Sequence, residues 1–427
     1  MRKNLKRMRK MFIRVGMAAA MTLVLMPVSA FSETTQTAII ATAAADYTSG
    51  AHCVADVDPV GGPRAVQTDI LPTISDIMVA AYENYFYRIE RFQRDNVTKF
   101  DIAEPDTPIY QYSVLDSGET GSANPHALIF LNAEKAYLLR YGKTTAWIVN
   151  PSAATEAEFK IGQLDLSAYA DDDGVPEMES GVIVDGVLYI TLQRLNNFAP
   201  TETAYVALFD TATDTEIDTG VANDDDVLGI PLPIKNPLAI QYLEENETIY
   251  VQGAGNYFAT PPEYTGGIAT INKTTYETEL LVDDGETYGN ISGMAIVSAD
   301  KGYMIGYAGW GDNSVYSFSP TTGDVGDAVN EDLTGKNIAG MQSGVYVDQN
   351  DMLWVCNQTD AEIDVLNTAD DTIDEKISTN LNPLMVVFTS VDDDDDDDDD
   401  DDETPPANDD DDDSTCFIDT VFGGFFK

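Results

Sequence analysis

A short pattern of strand-forming residues, repeated along the middle of the chain, constrains the fold more than any other feature. One copy begins with a β-rich run at Met294–Val297 and continues, after a polar turn, with a second run at Gly302–Tyr307. A third run follows at Ser314–Ser319, and a Pro-Thr-Thr-Gly turn leads to a weaker fourth. Short strands separated by turn residues are typical of a four-stranded antiparallel meander.

The second run of this pattern occurs six times, at intervals of about 50 to 60 residues. That interval is close to the length of a propeller blade, and it is too long for leucine-rich or ankyrin repeats. The six runs are Tyr85–Arg91, Ala136–Tyr141, Val187–Leu192, Thr248–Gln252, Gly302–Tyr307 and Met352–Cys356.

Incomplete copies lie at the two ends of the repeat region, and they complement each other. Residues 35–46 and 51–58 have the character of second and third strands, whereas 383–389 has that of a first strand alone. Pairing them closes a ring and removes the unpaired edges of the sheet. We therefore predict an all-β protein, a seven-bladed β-propeller of four-stranded antiparallel blades over residues 31–390. The C-terminal strand would close the first blade; a pair of β-sandwiches or a β-helix is the alternative.

The repeats resemble those of the YVTN-repeat β-propellers of secreted and surface-layer proteins. The consensus of that family has a Tyr-Val strand, a Ser/Thr-Val-Ile-Asp strand and a Thr-Ala-Thr turn, and Leu208–Asp214 and Val365–Asp371 match it best. The resemblance covers nearly all of residues 34–390 and implies an architecture. The family includes binding, scaffolding and occasional enzymatic members, so the function has to be argued from a site.

The first 30 residues have the layout of a signal peptide. A basic segment through Arg14 precedes an apolar stretch, Val15–Met26, and Val28 and Ala30 are the small residues of a cleavage site before Phe31. The apolar stretch is too short for a permanent membrane span, although a retained N-terminal anchor is the alternative. We expect an exported protein of the periplasm, cell surface or extracellular space, with no transmembrane helix in the mature chain.

The C-terminal end consists of a charged spacer and an apolar tip. Asp392–Asp402 is an unbroken run of eleven aspartates, so residues 391–415 are predicted to be a disordered poly-Asp linker. The apolar tail at 416–427 begins with Cys416. It resembles the Cys-Phe-Ile-x-Thr endings that follow low-complexity spacers in some bacterial exported proteins, which implies sorting or attachment through Cys416. The alternative is a frayed acidic tail.

The charge and the cysteine content exclude several classes of protein. With 74 acidic and 23 basic residues the formal net charge is −51, which disfavours duplex nucleic acid and anionic lipid as partners. Three cysteines are too few for a disulfide scaffold. Cys53 and Cys356 fall in blades 1 and 7, which are neighbours in a closed ring. They form either a disulfide or two buried free thiols.

Arginines are concentrated in one sector of the predicted ring. Five of them lie on or just after the second strands of blades 2, 3 and 4, so we expect them near one rim. Guanidinium groups there suit a carboxylate or phosphate, which predicts a small anionic ligand. The alternative is pairing with local acids such as Glu83, Glu90 and Asp95. The five are Arg88, Arg91, Arg94, Arg140 and Arg194.

Three further side chains are candidates for ligand binding. His126 begins the first strand of blade 3 and should face the channel mouth, where it could transfer protons, assist metal binding or simply line the channel. One histidine cannot hold zinc or copper alone. Tyr257 and Trp310 follow the second strands of blades 5 and 6. They could stack on a sugar or peptide, or cap the gaps between blades.

Acidic clusters make calcium the only cofactor for which the sequence offers candidates. Asp171, Asp173, Asp224 and Asp226 could contribute ligands, although solvated turns are the alternative. No nucleophile elbow or phosphate loop is present in the sequence, and we assign no catalytic residue. The prediction is an exported module that binds a protein, a glycan or a small anionic ligand. The alternatives are a calcium-dependent, lactonase-type hydrolase acting at the channel mouth and a structural surface-layer component.

Overall fold

The computed structural model describes residues 35–391, and their side chains from 36 to 389. Seven separate antiparallel sheets follow one another along the chain, each built on four main strands. This confirms the seven-bladed β-propeller. The predicted signal peptide, poly-Asp linker and Cys416 tail lie outside the described residues. Within residues 35–391, no helix is long and apolar enough to span a membrane.

The strands of blades 1 to 4 are given from the innermost strand outward. Blade 1 contains β30 (Asn382–Val391), β1 (Thr35–Ala43), β2 (Gly50–Asp56) and β3 (Val66–Thr73). Blade 2 contains β4 (Ile77–Tyr82), β5 (Tyr85–Glu90), β6 (Asn96–Asp101) and β7 (Pro108–Ser113). Blade 3 contains β8 (Pro125–Asn132), β9 (Lys135–Arg140), β10 (Thr145–Val149) and β11 (Lys160–Asp165). Blade 4 contains β12 (Met178–Val184), β13 (Val187–Leu192), β14 (Tyr205–Asp210), β15 (Thr215–Glu216) and β16 (Ile230–Pro231).

Blades 5 to 7 follow the same order. Blade 5 contains β17 (Pro237–Leu243), β18 (Thr248–Gly253), β19 (Gly267–Asn272) and β20 (Thr278–Asp283). Blade 6 contains β21 (Asn290–Ile296), β22 (Gly302–Gly309), β23 (Asp312–Phe318), β24 (Val325–Ala328) and β25 (Thr334–Lys336). Blade 7 contains β26 (Val345–Val347), β27 (Met352–Asn357), β28 (Glu362–Asn367) and β29 (Thr372–Ser378). Helix α1 (Glu156–Phe159) and 3₁₀ turns at Ser167–Tyr169, Glu244–Asn246 and Glu331–Leu333 lie in connections.

The first blade combines strands from both ends of the repeat region, as the sequence predicts. In the antiparallel pairing of β1 with β30, Ile40 lies opposite Val386 and Thr35 lies opposite Val391. Blade 1 therefore contains the first and the last strand of the described chain, and no sheet edge is left between the two ends.

The hydrophobic core is divided among the interfaces between neighbouring blades. In β9, Ala136 and Leu138 pack towards blade 2, whereas Tyr137 and Leu139 pack towards blade 4. Successive side chains of a strand point to opposite faces, so an inner strand buried on both sides needs an almost continuous apolar run. The outer strand β7, by contrast, is largely exposed.

The two cysteines lie in the cluster between blades 1 and 7, which confirms that these blades are neighbours. Both Cys53 and Cys356 are buried free thiols, so of the two alternatives the structure contains the thiols and not the disulfide. Burial raises the pKa of Cys53 to about 11 and that of Cys356 further still. Because the thiolate is the reactive form, both side chains are chemically inert at neutral pH.

Candidate functional site at the channel mouth

Neighbouring strands of a blade run in opposite directions, which decides which loops share a face of the disc. The loop between the second and third strands lies on the same face as the connection to the next blade. In blade 1 this is the end where Ala43 pairs with both Gly50 and Asn382. We call it the upper face. The opposite end, where Thr35 meets Val391, is the lower face.

The five candidate arginines lie in the sector that the sequence predicts, but most are engaged by acids. Arg88 lies 3.2 Å from Glu90. Arg194 lies 2.7 Å from Asp225, and Arg140 pairs with Glu119. Of these partners, only Glu90 is one of the local acids that the sequence suggests. The other partners come from interblade connections and from the insertion in blade 4.

The two remaining arginines differ in their surroundings. Arg91 has its Nε 3.3 Å from Asp76, and its Nη1 faces two thioethers, Met78 at 3.7 Å and Met341 at 3.1 Å. Sulfur is a weak acceptor, so this guanidinium keeps donor capacity near the channel. Arg94 is exposed and has no carboxylate partner within residues 35–391.

His126 and Glu179 form a buried pair at the top of the channel. His126 is the second residue of β8 and Glu179 the second residue of β12, so neighbouring first strands bring them together. The His126 Nδ1 lies 2.6 Å from the Glu179 Oε2. A carboxylate accepts hydrogen bonds, so Nδ1 carries the proton. The His126 Nε2 is then an acceptor, and it is buried without a hydrogen-bond partner.

The surroundings of this pair hold it in place. The ring of His126 stacks on Tyr141 at 4.0 Å, and the Tyr141 hydroxyl donates to the Gln193 Oε1 at 2.8 Å. Gln342 reaches across the channel and donates to the Glu179 carbonyl at 2.8 Å. Burial lowers the pKa of His126, with a further lowering from Arg91, while Glu179 opposes both effects. The imidazole is therefore neutral at pH 7.

Two cavities meet at His126. The mouth cavity has a volume of about 280 Å³ and is lined by Arg91, Tyr257, Phe198 and other side chains of the upper face. A second cavity of about 280 Å³ continues down the channel and shares His126 and Gln342 with the first. His126 thus lies where a ligand entering from the upper face would pass into the channel. Burial raises the pKa of Tyr257 to about 12, so it remains a neutral hydroxyl.

The structure brings together two of the four calcium candidates. Carboxylate oxygens of Asp171, Asp173 and Glu177 lie within 4.8 Å of one another. Burial raises the pKa of Glu177 to about 8 and also raises that of Asp173. Two of the three, Asp173 and Glu177, line a cavity of about 580 Å³ beside the mouth. Asp224 and Asp226 are not part of this group; they flank Asp225, the partner of Arg194.

The sequence predicted His126 at the channel mouth, Arg91 near one rim and Tyr257 in a loop of blade 5, but not four of the residues that surround them in the structure. Glu179 could have been found by aligning first strands, because it occupies the position in blade 4 that His126 occupies in blade 3. Trp310 lies on the upper face but is 75% exposed and lines neither channel cavity. The missed residues are Tyr141, Glu179, Gln193 and Gln342.

The fold and this site define a seven-bladed β-propeller with a polar, aromatic-edged cavity at one end of its channel. Among solved structures it is similar to a putative 6-phosphogluconolactonase from Bacteroides uniformis, with a TM-score of 0.56, 10% identity, and coverage of 83% of this chain and 99% of that one. It is also similar to AztD from Citrobacter koseri, with a TM-score of 0.49, 12% identity, and coverage of 84% and 98%. The first of these similarities shows the fold alone.

Sequence comparison adds no relative. No protein-family model matches the chain, and no curated protein matches it. The YVTN character of the repeats therefore stays a prediction.

Proposed function

We propose that this chain is an exported binding module that holds a polar ligand, or one unit of a larger ligand, at the mouth of its channel. The observation that carries the proposal is the buried, unpartnered Nε2 of His126 at the junction of the two cavities. A buried acceptor without a partner costs about 1–3 kcal/mol. A ligand hydroxyl or N–H group placed there would remove that cost.

The mixture of side chains around His126 supports binding. Ligand sites typically combine apolar and aromatic walls with a few polar groups that converge on one point. Here Gln193, Gln342 and Arg91 supply polar atoms, and Tyr257 and Phe198 supply aromatic walls. Their diversity argues against a symmetric metal cage, which needs several similar ligands.

A hydrolase is the second candidate, because a histidine backed by a carboxylate is the usual arrangement of a general base. For a calcium-dependent reaction, however, the metal and the base would have to face one substrate. Of the acidic cluster, Asp173 and Glu177 line the neighbouring cavity, and His126 does not line that cavity. The geometry therefore favours binding over calcium-dependent hydrolysis.

The experiment uses the fact that the chain contains two histidines. Purified protein is titrated with monosaccharides, sugar alcohols and small hydroxy acids, and the histidine ring signals are followed by NMR. At least one compound should shift the His126 signal, and His126→Gln should weaken its binding by tenfold or more. His52→Gln is the matched control, because His52 is a buried histidine that lines neither channel cavity.

Two outcomes would contradict the proposal. One is binding that His126→Gln leaves unchanged, and the other is a ligand that perturbs only the His52 signal. The intact mass of the same protein, purified from cells that export it, tests the proposed export. Its first residue should be at or near Phe31, and a chain that still begins at Met1 would contradict cleavage of a signal peptide.

A further inference from the structure

The exposed aromatic side chains of the described residues are all on one face. Six large aromatic residues are substantially exposed, and each lies in a loop between the second and third strands of a blade. These loops are on the upper face, and they belong to five different blades. The six residues are Tyr47, Phe92, Phe198, Phe258, Tyr264 and Trp310.

Four cavities on this face lie in a row through the mouth, and each shares a lining residue with the next. A cavity of about 480 Å³ beside Tyr47 shares Phe92 with the cavity of about 580 Å³ beside the acidic cluster. That cavity shares Phe198 with the mouth cavity, and the mouth cavity shares Tyr257 with a further one of about 470 Å³. An aromatic side chain thus stands at every junction. We call the four cavities together the upper groove.

The loop that carries Phe198, at one of these junctions, has a strained backbone. Phe198 is 83% exposed, and both it and Asn197 have left-handed backbone angles, with φ of 67° and 52°. For a bulky residue this conformation is unfavourable, and such strain is usually retained at binding sites. The loop between β13 and β14 therefore holds a phenyl ring in solvent at a cost in both hydration and backbone energy.

The polar lining of the upper groove is acidic or neutral. Of its side chains only Arg91 and Arg94 are cationic, and Arg91 is already close to Asp76. Its other polar side chains are carboxylates, amides and hydroxyls, together with His126. A polyanion would be repelled from such a surface, whereas carboxylates and amides pair well with hydroxyl groups. The carboxylates are Asp76, Asp173, Glu177, Glu179, Glu286 and Asp312.

We propose that the upper groove binds an uncharged, linear polysaccharide. The apolar C–H faces of successive sugar rings would stack on Phe92, Phe198 and Tyr257, and their hydroxyls would pair with the amides and carboxylates between them. One sugar hydroxyl at the mouth would donate to the His126 Nε2. An extended peptide is disfavoured, because it is usually bound along a free strand edge, and the upper groove is built from loops and strand ends. This inference rests on the proposed function, since the mouth is the middle of the groove.

The experiment measures the affinity of the full chain for neutral gluco-, xylo- and manno-oligosaccharides of two to eight units by calorimetry. Affinity for one series should rise with chain length. Phe92→Ala and Phe198→Ala should each weaken binding of the longest member roughly two- to tenfold and shorten the length at which affinity stops rising. Ile109→Ala is the matched control, because Ile109 is an exposed hydrophobic residue on the outer strand β7. It should leave affinity unchanged.

The outcomes separate this inference from the proposed function. If a monosaccharide binds as well as the longest chain and Phe92→Ala has no effect, binding along the upper groove is contradicted, while binding at the mouth is retained. If the aromatic variants weaken binding and His126→Gln does not, binding along the upper groove is supported and the proposed site at His126 is contradicted. The proposal of a neutral polysaccharide ligand would be contradicted if no saccharide in the panel binds. It would also be contradicted if polygalacturonate or a basic peptide binds more tightly, with the same dependence on Phe92.

Discussion

Glu177 illustrates how the fold changes the chemistry of a single carboxyl group. In the structure it is only 3% exposed and accepts a hydrogen bond from the Leu195 amide. Its pKa rises from 4.5 to about 8; burial is the largest cause, Asp173 and Asp171 contribute to the same rise, and the Leu195 amide opposes it. At neutral pH this side chain is therefore mostly protonated in the folded state and ionised in the unfolded state.

This difference predicts a specific pH dependence of stability. Between pH 4.5 and about 8 the folded state binds the extra proton, so the free energy of unfolding should fall as pH rises through that interval and level off above it. Glu177→Gln should remove that component. Urea unfolding at pH 5, 6, 7 and 8 measures it, with the exposed Glu286→Gln as the control. Identical pH profiles for the wild type and Glu177→Gln would contradict the raised pKa.

Positions of single residues were predictable only where the repeat placed them. His126 follows from its place at the start of a first strand, and the arginine sector follows from the second strands. The partners did not follow, because Glu119 and Asp225 lie in connections whose paths the repeat does not determine. Arg140 and Glu119 are 21 residues apart, and Arg194 and Asp225 are 31 residues apart. Side chains so distant along the chain meet only after the blades have packed.

At the scale of elements, the inner strands were predictable because both of their faces are buried. The apolar run Met352–Cys356 became β27, one residue longer, and the run beginning at Gly302 became β22. The outer strands give a weaker signal, since one face is in water. In blade 4 the fourth position is divided between β15 and β16, which both pair with β14. The composition of so short a strand does not distinguish it from a turn.

The repeated Thr-Ala-Thr-Asp and Thr-Ala-Asp-Asp turns have a physical role that the sequence did not disclose. Their last aspartates, Asp214 and Asp371, adopt left-handed backbone angles. Each accepts hydrogen bonds from a lysine and a tyrosine at or just before the start of the second strand of the preceding blade. Lys135 and Tyr137 contact Asp214, and Lys301 and Tyr303 contact Asp371. The turn therefore links two blades, which explains why its acidic residue recurs.

Inner and outer strands should differ sharply in their tolerance of truncation. Ile40 on β1 is fully buried between blades 1 and 7, and Ile40→Ala should destabilise the protein by about 2–5 kcal/mol through lost packing and a cavity. Ile161 on the outer strand β11 is exposed, and Ile161→Ala should change stability by no more than about 0.5 kcal/mol. Urea unfolding of the two variants tests this; equal losses would contradict the division into buried inner and exposed outer strands.

At the scale of the whole molecule, the closure of the ring places the ends of the described chain and the proposed binding site on opposite faces. The described chain begins and ends on the lower face, where Thr35 pairs with Val391. The mouth and the exposed aromatics are on the upper face. We infer that attachment through the C-terminal tail would leave the binding face free and directed away from the attached surface. The attachment through Cys416 that the sequence predicts is therefore compatible with the position of the proposed site.

Two truncations test closure and display together. Removing residues 392–427 leaves every described strand in place, so the melting temperature should hardly change, while the protein should move from the cell-associated fraction to the medium. Removing residues 382–427 also deletes β30, which exposes the edge of β1 and opens the interface between blades 1 and 7. That variant should melt far lower or fail to fold. Equal melting temperatures for the two truncations would show that the closing strand does not stabilise the ring, and unchanged location of the shorter deletion would contradict attachment through the tail.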